Sequence, residues 1–208
     1  MILIRLYMLA VIGFLIYITD PGSSLFSWHP TFMTIGSMII LYEGVLIMVP
    51  NRGLLINGTS QNTKRNTHSI LQIIGFLLIF TGFTSVAMAK ERAKIPHFNS
   101  LHSLFGGIAG VLLGFQIAAG LATRFQRLSP IPPKYLKFGH IVLGLLQYSA
   151  CCLALMAGMH TDYITARTTP FIRTVLTVLP MIAFGTSFTT IINKFLEIFL
   201  KPKCIQSK

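Results

Sequence analysis

Six stretches of this chain are too apolar to rest in water: Leu6–Thr19, Phe32–Val49, Ile70–Ala89, Leu104–Thr123, Phe138–His160 and Val175–Leu200. A bilayer core about 30 Å thick is crossed by a helix of roughly 20 mostly apolar residues. Composition points the same way. Of 208 residues, 53% are hydrophobic and 11% charged, against roughly 25% charged in soluble domains. The first stretch is short and follows Arg5, as in a signal peptide. However, Ile18-Thr19-Asp20-Pro21 is a poor cleavage site and no larger mature domain follows. We read it as a first transmembrane helix. The expected fold is an all-α integral membrane bundle of six transmembrane helices, with residues 1–208 as one domain. Connections are short, and Pro130-Ile131-Pro132-Pro133 makes a stiff turn between spans four and five.

The formal charge of +12 would suggest nucleic acid on a soluble chain. Membrane proteins instead hold Lys and Arg in cytoplasmic loops, and no basic run here is interleaved with enough aromatics to argue for nucleic acid. One side collects Arg5, Arg52, Lys64, Arg65, Arg124, Arg127, Lys134, Lys137, Lys194, Lys201, Lys203 and Lys208, twelve in all. The other collects five: Lys90, Arg92, Lys94, Arg167 and Arg173. That asymmetry predicts cytoplasmic N- and C-termini. Three cysteines make no framework. Cys151 and Cys152 read as packing residues, and Cys204 as a tail thiol placed wrongly for prenylation.

The histidines carry more information. His29, His68, His102 and His140 open spans two to five, each separated from the next by about one helix plus one loop. Helices that alternate in direction put their N-terminal ends on alternate sides. His29 and His102 therefore belong near the outer face, and His68 and His140 near the cytoplasmic face. Ionisable groups in spans are costly and tend to be functional. Two imidazoles without cysteine or carboxylate partners make a poor zinc site, since zinc takes about four ligands. They suit a haem iron, whose other ligands come from the porphyrin. The glycines of these spans, Gly36, Gly44, Gly75, Gly82, Gly106, Gly107, Gly110, Gly114, Gly139 and Gly144, fit either room for a macrocycle or close helix packing. Without Cys-x-x-Cys-His, any haem is non-covalent and of b type. Bis-histidine iron is coordinatively full and relays electrons, so two such centres form a wire across the bilayer.

Phe26-Ser27-Trp28-His29-Pro30, Thr67-His68, Ser100-Leu101-His102-Ser103 with Gly106, and Phe138-Gly139-His140 together resemble the cytochrome b561 family over nearly the whole chain. Residues 21 to 30, with Glu43 later in the same span, look like its domain-containing branch. The resemblance implies two non-covalent haem b groups, held by His29 with His102 outside and by His68 with His140 inside. It implies cytosolic ascorbate as donor and ferric chelate or monodehydroascorbate as acceptor on the other side. It further implies an endoplasmic reticulum or cytoplasmic vesicle membrane; a homodimer is compatible with it.

Ascorbate is an anion and calls for cations. Lys64, Arg65, Lys134 and Lys137 are the candidates beside the inner pair. The better-studied members carry a basic residue two positions before the inner histidine of span three; Asn66 stands there in this chain, with Lys64 or Arg65 as substitute. Lys94, His97 and Asn99 are candidates for the outer acceptor, whereas the outer-site histidine some members carry near Ala89 is missing. His160 reads as an interface residue, and Glu43 as protonated or bonded within the bundle. Two other classes compete: a histidine-containing proton-coupled transporter or channel, and a non-catalytic adaptor. The former calls for broken helices or inverted repeats, and neither is evident. Asn57-Gly58-Thr59 is a glycosylation sequon on the side assigned to the cytoplasm. We expect no glycosidase-sensitive gel shift at Asn57; a shift would reverse the orientation.

Overall fold

A computed structural model describes residues 2–54 and 58–199. The sequon residue Asn57 and the tail with Lys201, Lys203, Cys204 and Lys208 lie outside them, as does the side chain of Lys194. Among the described residues the structure is helical, without strands. The helices are α1 (Ile2–Thr19), α2 (Trp28–Ile47), α3 (Gln61–Ala93), α4 (Leu101–Arg124), α5 (Pro133–Gly158), the single turn α6 (Asp162–Thr165) and α7 (Pro170–Phe199). All but α6 are long and apolar enough to cross a bilayer, six spans in all, and the chain is a multi-pass membrane protein. Large apolar side chains stay exposed along α3 and α4, among them Ile73, Leu77, Phe80, Val111 and Phe115. A lipid-facing surface accounts for them.

The helices run beyond the apolar stretches. At 33 residues, α3 is about 50 Å long at 1.5 Å per residue, so both its ends leave the hydrocarbon. Its polar start, Gln61 to Thr67, stays helical because Ser60 caps it, accepting a bond from the Thr63 backbone N–H at 3.2 Å. α5 begins early because Pro133 fits the first helical position. This corrects one expectation. His29 and His102 sit in the first turn of α2 and α4, but His68 and His140 lie two turns inside α3 and α5.

The buried apolar core lies apart from the histidines. Met8, Val11, Ile12 and Leu15 of α1 pack on Met38, Tyr42 and Leu46 of α2, and on Leu176 and Phe184 of α7. The α1 spacing of three and four puts these side chains on one helix face. Phe184 meets Tyr148 edge-on with ring centres 4.8 Å apart and Tyr42 at 6.3 Å, which ties α7 to α5 and α2. Pro180 interrupts the α7 hydrogen-bond ladder.

α2 packs on α3, and α4 on α5, far more closely than the two hairpins pack on each other. In the first hairpin the glycines serve this approach. A Cβ on Gly36 would stand 3.0 Å from Ile79 Cγ1 and 3.3 Å from the Gly75 carbonyl. A Cβ on Gly75 would strike Leu41. Here α2 also departs from α geometry, being π-helical from Ile35 to Leu41. The Ser37 hydroxyl donates to the Met33 carbonyl at 2.6 Å and Thr34 to the Pro30 carbonyl at 2.8 Å; such back-bonding accompanies locally distorted helix turns. We expect Gly36→Leu to force α2 from α3 and to destabilise the protein by about 1–3 kcal/mol, the range for overpacking. A lowered melting temperature in detergent checks this; an unchanged one contradicts the packing.

Candidate functional site: two histidine pairs between two hairpins

Each histidine is placed by its local sequence. Asp20 and Gly22 take positive φ in the turn before α2. Ser27 is fully buried there; its hydroxyl accepts from the Gly22 N–H at 3.1 Å and donates to the Ser24 carbonyl at 2.8 Å. This turn starts α2 at Trp28 and sets His29 in its first turn. His102 lies inside a capping box in which the Ser103 hydroxyl accepts the Ser100 backbone N–H at 3.1 Å and the Ser100 hydroxyl accepts that of Ser103 at 3.2 Å.

The four rings meet in two pairs across the hairpins. His29 of α2 and His102 of α4 have ring centres 5.9 Å apart at 77°. His68 of α3 and His140 of α5 have centres 6.2 Å apart at 90°. Two imidazoles binding one first-row metal from opposite sides would stand about 6 Å apart, given metal–nitrogen bonds of about 2 Å and about 1 Å from each nitrogen to its ring centre. Among the described residues no group of three or more His, Cys, Asp or Glu converges on a point. Each pair therefore offers two nitrogens, a donor set suited to a metal that brings its own equatorial ligands.

The second nitrogen of each ring is what completes the arrangement. His29 Nδ1 lies 3.0 Å from the Gly82 carbonyl, His68 Nδ1 2.7 Å from that of Gly44, and His102 Nδ1 2.9 Å from that of Ala154. A carbonyl only accepts, so Nδ1 carries the proton and Nε2 keeps its lone pair. This is the usual outer support of a metal-bound imidazole. His140 departs: its buried Nδ1 has no bond of normal length, although the Gln116 backbone carbonyl is the group it faces.

These contacts are reciprocal within the first hairpin. The α2 histidine uses an α3 carbonyl and the α3 histidine an α2 carbonyl; in the second, the α4 histidine uses an α5 carbonyl, while His140 of α5 faces Gln116 of α4 without closing a bond. The step along the chain from His68 to Gly82 equals those from His140 to Ala154 and from His102 to Gln116. The step from His29 to Gly44 is longer by a single residue. That extra residue falls where α2 is π-helical, and a π turn holds about one more residue than an α turn. The ring pairs are thus separated by about four helical turns, roughly 20 Å. Sequence reading missed this internal repeat. Its trace was there in the numbering: the step from His29 to His102 nearly equals that from His68 to His140.

A family model described as eukaryotic cytochrome b561 matches residues 28–166. This chain belongs to the cytochrome b561 family. The match starts at the first residue of α2 and takes in α2 to α6, with all four paired histidines; α1 and α7 lie outside it. The family binds haem b. The transmembrane reductase CYB561D2 of Mus musculus is 31% identical over 165 residues, spanning 77% of this chain and 74% of the relative. That of Bos taurus is 30% identical over 202 residues, spanning 95% and 89%. The transmembrane ascorbate ferrireductase 2 of Arabidopsis thaliana is 29% identical over 148 residues, spanning 68% and 59%.

The remaining candidates fall as follows. Lys64 and Arg65 precede His68 by about one turn on α3, and Lys134 and Lys137 lie in the first turns of α5 before His140. The contact between the two rings brings these four to one end of the bundle; Lys64 is half-buried and the others exposed. Lys94 ends α3 in a left-handed conformation, φ 53°. His97 stands outside both pairs, 3.6 Å from the Glu91 carboxylate. Lys94, His97 and Asn99 are all exposed, and so is His160 in the turn after α5. Cys151 and Cys152 are free, partly buried thiols. Gly107 packs against Phe98, whose ring its Cβ would meet at 2.6 Å, whereas Gly106, Gly110, Gly114 and Gly139 face open space. A Cβ on Gly158 would stand 3.0 Å from His102 Nδ1. We therefore expect Gly158→Leu to push His102 off its carbonyl and to lower bound haem per chain. Gly13→Leu, at an exposed position with nothing nearby, should leave it unchanged. Equal haem content in both variants would contradict the support role.

Proposed function

We propose that the protein is a transmembrane oxidoreductase that carries electrons from cytosolic ascorbate to a ferric chelate or monodehydroascorbate on the other side. The observation that carries this is the pair of imidazole pairs, 5.9 and 6.2 Å between ring centres, each spaced for one metal and stacked along the span. In this reading His29 and His102 are the axial ligands of an outer haem b, and His68 and His140 of an inner one. Haem held by two imidazoles has no open coordination position and supplies one-electron relay. The backbone carbonyls of Gly82, Gly44 and Ala154 hold Nδ1 protonated and keep Nε2 bare. Lys64, Arg65, Lys134 and Lys137 bind the anionic donor at the inner mouth, and Lys94, His97 and Asn99 meet the acceptor at the outer one. The basic asymmetry puts the inner mouth in the cytoplasm. An electron moving outward is then favoured by about 2.3 kcal/mol per 100 mV of inside-negative potential. The relatives' names, transmembrane reductase and ascorbate ferrireductase, support the same reaction class.

A proton-relay transporter would need imidazoles free to exchange protons at both nitrogens. Three of these four rings commit Nδ1 to backbone carbonyls, which disfavours that reading.

The test is the reduced-minus-oxidised spectrum of the purified protein, with a haem count. We expect two b haems per chain, reducible by ascorbate. His68→Ala or His140→Ala should remove one and block reduction from the cytosolic side; His29→Ala or His102→Ala should remove the other. A colourless protein from cells well supplied with haem would overturn the function. Loss of the outer centre in His68→Ala would overturn the pairing.

A further inference from the structure

Glu43 lies within α2, where a carboxylate is costly unless paired. Its partner comes from another helix. Arg5 of α1 forms an ion pair with it, Nη2 standing 3.0 Å from Oε2. The same Nη2 donates to the Arg52 carbonyl at 2.6 Å. Both side chains are largely buried, 13% and 18% exposed. The next residue, Gly44, supplies the carbonyl that accepts the hydrogen bond from His68 Nδ1–H at 2.7 Å. Adjacent helix positions point about 100° apart, so the pair and the inner histidines flank α2 at the same level, within roughly the 10 Å diameter of a helix. Between them lies protein, and buried charges are screened much less than exposed ones.

We propose that the Arg5–Glu43 pair tunes the inner centre electrostatically: Glu43 cancels the Arg5 charge, and this balance sets how readily the inner histidine pair's haem takes an electron. This rests on the dihaem reading above. Reduction removes one unit of positive charge from the centre. An unbalanced arginine favours that change, and an unbalanced carboxylate opposes it. Arginine cannot shed its proton in a protein, so removing Glu43 leaves a fixed cation. Arg5 lies outside the segment matched by the family model, so the pair is completed by a helix outside the histidine-bearing core.

The experiment is a spectroelectrochemical titration of the full-length protein in detergent, with the two waves assigned by the His68→Ala and His29→Ala variants. Glu43→Gln should raise the potential of the inner wave and move the outer wave less. Arg5→Met combined with Glu43→Gln should bring the inner wave back towards the wild type. A mere packing defect would not be corrected by a second lesion at the same contact. Should Glu43→Gln fail to retain haem, Arg5→Met alone must lower the inner wave. An unmoved inner wave, an equal shift of both waves, or no recovery in the double variant overturns the tuning. A wild-type protein without haem overturns the dihaem reading itself, and the tuning with it.

Discussion

The structure depends on a requirement of imidazole chemistry. A histidine that is to bind a metal must present one bare nitrogen and keep the other protonated, in a setting without water to exchange protons. In a helix bundle the available acceptors are backbone carbonyls, and within a helix nearly all are engaged in the ladder. A carbonyl has two lone pairs, however, and can accept a second bond. Gly44 and Gly82 expose theirs because no side chain stands beside them. Their carbonyls reach His68 and His29 at 2.7 and 3.0 Å, so the tight α2–α3 contact and the tautomers of both rings are one constraint. The second hairpin meets it with Ala154 for His102 and leaves His140 less well served.

That constraint explains the architecture at the next scale. Reciprocal donation fixes the first hairpin in register, histidine against carbonyl about four turns away, so a slip of one residue would break both bonds. Where α2 carries an additional residue, a π-helical segment absorbs it and the register is preserved. π-bulges recur at functional sites, and here the reason is geometric: the bulge keeps Gly44 opposite His68. The two hairpins then meet through imidazoles rather than through an interleaved apolar core, which leaves the apolar cluster to α1, α2 and α7.

The six spans, their alternation and the two histidine pairs were all legible in the sequence, because hydropathy and the side on which a helix begins are local properties. The depth of His68 and His140 was not. Hydropathy ends where polar residues begin, while helices capped by Ser60 or started by Pro133 continue through polar turns. The roles of individual glycines were also hidden. Gly36 and Gly110 look alike in the sequence, but one touches Ile79 and the other faces open space; only the neighbouring helix decides. Glu43 announced itself as an anomaly, a carboxylate in an apolar span, yet its partner Arg5 stands near the start of the preceding helix. No spacing rule connects them, since α1 and α2 are joined by a turn whose geometry comes from Ser27 and Gly22.

The division between the helices that hold the histidines and those that cover them follows from these pieces. Four helices hold the histidines, and three of the four rings are bonded to a carbonyl of their own hairpin. Such a unit needs nothing from α1 or α7 to orient its imidazoles. What it lacks is a buried surface for the outer side of α2, which α1 and α7 cover with Met8, Leu15, Leu176 and Phe184. Covering that side also encloses Glu43, and an enclosed carboxylate must be neutralised or paired. Arg5 enters on the covering helix as the counterion. The charge pair next to the inner histidines is therefore shared between the two parts: Glu43 stands on a histidine-bearing helix and Arg5 on the helix that covers it.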